Sequence, residues 1–81
     1  MKEQVIRDKI RRFITADLIR EPGYELADDE GIVSGGLMDS FALAELGVFI
    51  ESEFDVYVPD PELTVDQLDT LDQIVSRVMR G

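Results

Sequence analysis

In the first segment, about Lys2 to Arg20, Ile6, Ile10, Phe13, Ile14 and Leu18 fall at i, i+4, i+7, i+8 and i+12. That is one apolar stripe at the period of an α-helix, and no strand pattern fits it. The basic residues lie largely on the other faces, with Asp17 at the border. The spacing therefore predicts a core helix with a cationic outer face. A basic amphipathic helix lying on a membrane is the less economical reading. Pro22-Gly23 is expected to end the helix, because proline removes a backbone donor and glycine favours the turn.

Residues 21–38 show no such period and read as a long loop, held to the core by Tyr24, Leu26, Ile32, Val33 and Leu37. Loops of this length inside small domains usually have a task. The run Asp28-Asp29-Glu30-Gly31 lacks the alternating acids, the central glycine and the closing glutamate of a calcium loop, so no calcium site is expected.

A second helix is expected from Asp39-Ser40 to Phe54. Leu43, Leu46, Ile50 and Phe54 share its core face, with Gly47 beside them. Phe41, Ala44 and Val48 fall on the opposite side, where a surface helix should be polar. Glu45, Glu51 and Ser52 border this second stripe. An apolar strip edged by carboxylates fits a partner with an apolar patch and a basic rim. The alternative is that the C-terminal segments fold over part of it.

Two capping-box patterns, Thr64-x-x-Gln67 and Thr70-x-x-Gln73, open a short helix near Val65 to Leu68 and a final helix from Leu71 to Arg80. Pro61 behind Asp60 is an alternative start for the short one. Leu71, Ile74, Val75 and Val78 form the stripe of the last helix, and Arg77 and Arg80 suit its C-terminal dipole. The expected fold is all-α: a small four-helix bundle, three main helices plus one short helix, with a long first loop. At 81 residues, one domain spanning 1–81 is all the chain can build.

Composition narrows the function. With 44% hydrophobic residues the chain can bury a core despite being 32% charged. The absence of cysteine and histidine removes thiolate metal sites, cysteine nucleophiles, the commonest general base and every histidine-containing triad. No phosphate-binding loop is present, and no carboxylate pair stands out for acid–base work, so an independent enzyme is not expected. No apolar run approaches the roughly 20 residues of a membrane span. A cytoplasmic monomer without membrane insertion is the expectation. The net charge of −10 is unevenly spread: residues 1–20 carry six cations against three acids, whereas no Lys or Arg occurs between Glu21 and Ser76. Such a surface repels nucleic acid and steers basic proteins towards it.

One hydroxyl stands out by position. Ser40 lies after the long loop, at the start of the second helix and just before the unexpected apolar stripe. A phosphate joined to it would meet free backbone N–H groups and the positive end of the helix dipole. The plainer reading is an N-cap, a part that Asp39 fills equally well.

The segment Gly36-Leu37-Met38-Asp39-Ser40-Phe41, with Glu51-Ser52-Glu53-Phe54 and Val58-Pro59-Asp60 farther along, resembles the acyl carrier proteins. The resemblance extends over essentially the whole chain. It implies that Ser40, after Asp39, carries 4′-phosphopantetheine delivered from coenzyme A by a phosphopantetheinyl transferase. Acyl groups would ride on the arm as thioesters, and enzymes that load and transfer them would dock through basic surfaces. By the same resemblance, Phe41, Ala44 and Val48 are apolar docking positions, Glu45 and Glu51 acidic ones, and Val58 and Asp60 lead into the short helix.

Departures from the fatty-acid-synthesis pattern are the Gly-Leu-Met before Asp39 and Gly47 within the second helix. Glycine there costs roughly 1 kcal/mol of helix propensity. It leaves room for either an acyl chain or another side chain. The Gly-x-x-Asp-Ser form and the ending Leu-Thr-x-x-x-Leu-x-Thr-Leu look more like stand-alone carriers of amino acids or specialised acyl groups. Three readings follow: a carrier of fatty or other specialised acyl intermediates, an aminoacyl or peptidyl carrier loaded by an adenylating enzyme, and an unmodified acidic interaction module.

Overall fold

In the computed structural model, which describes residues 2–81, the isoleucine stripe of the first segment is buried, Ile10 and Ile14 completely. Helix α1 (Glu3–Phe13) carries it and continues as a π-helical turn over Ile14–Leu18. The widening is visible in the Ile19 N–H, which donates five residues back to Ile14 O at 2.8 Å. Buried Thr15 is satisfied by donating its hydroxyl to Arg11 O at 3.0 Å. The helix stops before Arg20, earlier than Pro22-Gly23 alone would stop it. Arg20 turns left-handed at φ 64°, and the Glu21 N–H closes back on Thr15 O at 2.7 Å. This closes the widened turn through a left-handed residue that is not glycine.

The remaining elements are α2 (Ala42–Phe54), a 3₁₀ turn (Asp60–Glu62), α3 (Val65–Leu68) and α4 (Leu71–Arg80). Among the described residues all regular structure is helical, so the small all-α bundle expected from the spacing is the fold observed. Leu43, Leu46 and Ile50 from α2 meet Leu71, Ile74, Val75 and Val78 from α4 and the isoleucines of α1 in one core. Each such aliphatic side chain contributes roughly 1.5–3 kcal/mol on burial. Phe13 of α1 stacks on Phe49 of α2 at 4.1 Å between ring centroids, and Phe54 meets Phe49 edge-on at 6.0 Å. The α2 helix ends at Asp55, left-handed at φ 57°.

The long loop lies against the core through Leu26, Ile32 and Met38, with Tyr24, Val33 and Leu37 partly buried. At the C-terminal end the two capping boxes differ. Thr70 accepts from the Gln73 N–H at 3.1 Å and the Gln73 side chain accepts from the Thr70 N–H at 3.0 Å. Thr64 makes no side-chain cap at all, because the four-residue α3 leaves Gln67 exposed in solvent. Pro61 sits inside the separate 3₁₀ turn and does not start α3.

Candidate functional site

The chain reaches Ser40 from a loop that is clamped from behind. Asp69, at the junction of α3 and α4, accepts from the N–H groups of Val33 at 2.8 Å and Ser34 at 3.0 Å, and from the Ser34 hydroxyl at 2.5 Å. Its own carbonyl accepts from the Ile32 N–H at 2.8 Å. Desolvation pushes the Asp69 carboxyl up, but the hydrogen bonds from Ser34 and Val33 outweigh it and hold the group below the usual carboxylate range. The turn closes at Gly36, whose φ of 83° suits glycine, and Leu37 N–H returns to Ile32 O at 2.9 Å. Buried Met38 then fixes the approach to α2.

The structure separates the parts of Asp39 and Ser40. The α2 helix begins at Ala42, later than the expected Asp39-Ser40, and in the turn that leads into it Asp39 Oδ1 and Asp39 O share the Ala42 N–H, each at 3.2 Å. Ser40 is exposed, and its hydroxyl has no hydrogen-bond partner among the described residues. The N–H groups of Ser40 and Phe41 likewise meet no protein acceptor there. An exposed hydroxyl beside unpaired N–H donors at a helix start suits a phosphate ester.

Behind Ser40 the second stripe of α2 lies open. Phe41 is 83% and Val48 69% exposed, and Ala44, Glu45, Glu51 and Ser52 are also exposed. The C-terminal segments do not fold over the stripe. They run along its edge, where Ala44, Val48 and Glu51 form a groove with Tyr57 and exposed Asp60. Val58 lines the floor of the same groove and is itself 3% exposed, packed in the core. Residues 56–58 run extended, so their side chains alternate, and the one facing out is Tyr57, 65% exposed. The Val-Tyr-Val triplet held that signal, since a period of two turns the valines towards the core, Val58 buried and Val56 partly so, and exposes the tyrosine.

Charge on this face is uncompensated. Five of the eight cations are engaged elsewhere: Arg7 with Glu3, Asp28 and Asp72, Arg11 with Asp8 and Asp28, Lys9 with Glu53, and Arg77 and Arg80 with Glu62. Asp39, Glu45, Glu51 and Asp60 take part in no ion pair among the described residues. No helix among the described residues is long and apolar enough to cross a membrane.

No protein-family model matches the chain. Curated relatives do. The chain is 38% identical over 58 residues to a D-alanyl carrier protein of Lactobacillus acidophilus, which covers 69% of this chain and 73% of that protein. It is 34% identical over 65 residues to the D-alanyl carrier protein of Bacillus velezensis, covering 80% and 83%. With that of Bacillus subtilis the identity is 31% over 77 residues, covering 94% and 91%. An exposed serine at the start of an acidic, apolar-striped helix, together with relatives of this identity and coverage, leads to one conclusion: the chain belongs to the acyl carrier protein family, whose covalent cofactor is 4′-phosphopantetheine.

Proposed function

We propose that Ser40 is the attachment residue and that this protein is an aminoacyl carrier, with D-alanine as its cargo. The observation that carries the attachment is the division of labour at the start of α2. The Asp39 carboxylate braces the turn into α2 at 3.2 Å from the Ala42 N–H, and the Ser40 hydroxyl stays exposed and unengaged. The relatives named D-alanyl carrier proteins favour an amino acid over a fatty acyl group. The bound group supplies a terminal thiol that holds the cargo as a thioester, which gives a cysteine-free chain its sulfur chemistry.

The protein's own part is to offer the Ser40 Oγ to the transferase, hold the arm at a rigid helix start and present Phe41, Ala44 and Val48 within a rim of carboxylates. It catalyses neither loading nor transfer; partner enzymes with basic docking surfaces do both. Binding of this kind is fast, weak and sensitive to salt.

Intact mass after incubation with coenzyme A and a phosphopantetheinyl transferase tests the attachment. The wild type gains one phosphopantetheine and Ser40→Ala gains none. Folded wild type that stays unmodified by an active transferase would instead support the unmodified interaction module. ATP, an adenylating enzyme and D-alanine should then add one alanyl group to the modified protein; a fatty acyl group taken in preference would overturn the aminoacyl assignment.

A further inference from the structure

Gly47 faces the buried side of α2, and the space its missing side chain would need is occupied. A methyl group at this position would stand 3.1 Å from Leu63 Cδ2 and 3.2 Å from Leu63 Cδ1, tighter than ordinary van der Waals contact. The Leu63 side chain therefore lies directly against the α2 backbone. It is held there by its own backbone, whose N–H donates to Asp60 O at 3.0 Å as the 3₁₀ turn closes. In front of this contact is an open groove of about 190 Å³, bordered by Ala44, Val48, Tyr57 and Asp60. Behind it, Leu46 and Ile50 are completely buried.

We infer that Leu63 seated on Gly47 is a specificity-determining closure: it shuts the gap between α2 and the 3₁₀ turn, so the cargo stays outside the core. The inference rests on the proposal that Ser40 carries the arm. From Ser40 the groove lies about two helical turns along α2, roughly 10 Å at 1.5 Å per residue. A long apolar chain on the arm would enter the protein if a slot were open, because each methylene gains by leaving water. With Leu63 in the slot that gain is withheld, and a short polar cargo such as an amino acid loses nothing by remaining in solvent. Glycine in the middle of α2 is thus the complement of a leucine rather than room for an acyl chain.

The test uses the full-length protein loaded by the transferase from acetyl- or octanoyl-coenzyme A, with intact mass reporting the loading and thermal melting the effect. The acetyl and octanoyl forms of the wild type should melt together. In Leu63→Ala the octanoyl form should melt several degrees above the acetyl form. If Leu63→Ala does not fold, Leu63→Val opens a smaller space, and its octanoyl form should still melt above its acetyl form. A wild-type octanoyl form that melts several degrees above the acetyl form overturns the closure. Folded Leu63 variants in which the two forms melt together overturn the assignment to Leu63. A wild-type mass without either group overturns the attachment at Ser40, an outcome distinct from both.

Discussion

The two sides of this molecule treat the same kind of residue in opposite ways. Around α1 and α4, carboxylates are bound: Arg7 reaches Asp72 at 2.6 Å, Glu3 at 3.0 Å and Asp28 at 3.1 Å, and Arg11 reaches Asp28 at 2.6 Å. Asp72 and Glu3 raise the Arg7 guanidinium further above its ordinary value against the effect of its desolvation. These pairs tie the long loop to both terminal helices. Along α2, the carboxylates of Glu45 and Glu51 have no cation and flank apolar side chains that have no cover. Apolar residues divide in the same way, since Ile10 and Ile74 are fully buried while Phe41 and Val48 are open. One side is closed on itself, and the other is left open.

The sharpest way to break this contrast is to truncate one apolar residue on each side. Ile10→Ala should cost about 2–5 kcal/mol of folding stability, because it leaves a cavity in a packed core. Phe41→Ala should change stability by no more than about 0.5 kcal/mol. It should instead lower the transferase kcat/KM about tenfold, as loss of an interface anchor worth roughly 1.4 kcal/mol would. Denaturant melts and transferase kinetics on the two variants check both halves. A strongly destabilised Phe41→Ala would mean that the stripe belongs to the fold.

Asp69 sharpens the contrast from the closed side, where a carboxylate holds the approach to Ser40. Asp69→Ala removes three hydrogen bonds, from Val33, from the Ser34 N–H and from the Ser34 hydroxyl. The expected cost is about 0.5–1.5 kcal/mol, because the Ser34 donors are exposed and can turn to water. Its folded value lies below the ordinary 3.8. The carboxylate's contribution is therefore present above that value and lost as pH falls through the lower folded one. The stability gap between wild type and Asp69→Ala should hold at neutral pH and narrow in acid. A gap that widens as pH falls would remove the charge from the explanation.

Most of this architecture could be read from spacing. The bounds of α4 were legible because a stripe, a capping box and terminal arginines agree there. The exposed stripe of α2 was legible because three apolar residues recur on a face that the core does not need. Thr64 was misread. Thr64-x-x-Gln67 has the letters of a capping box, but α3 is one turn long and makes no cap, whereas Gln73 is also held by donating to Asp66 O at 3.1 Å. Val58, which the resemblance placed among the docking positions, lies at the floor of the groove, while its exposed neighbour Tyr57 went unnamed. The Asp69 clamp had no local signal, since the partners lie 35 and 36 residues apart in the chain. The contact of Leu63 with Gly47 was half visible, as a glycine whose occupant the sequence did not name.

The smallest expected effect is that of salt, and its sign depends on which side of the molecule dominates. Raising ionic strength shortens the screening length from about 10 Å at 0.1 M to about 3 Å at 1 M. On the α1 and α4 side this weakens exposed ion pairs, each worth about 0–1 kcal/mol. On the α2 side it relieves repulsion among carboxylates that have no cation, over a stretch without one Lys or Arg between Glu21 and Ser76. A net charge of −10 favours the second effect, so the melting temperature should rise by a few degrees with sodium chloride, and at lower concentration with magnesium. Arg7→Met removes a hub of three ion pairs and leaves the α2 face as it was. The rise with salt should therefore be larger in that variant than in wild type. A wild-type melting temperature that falls with salt would mean that the paired side governs stability, and that the open carboxylates of α2 lie too far apart to strain the fold they decorate.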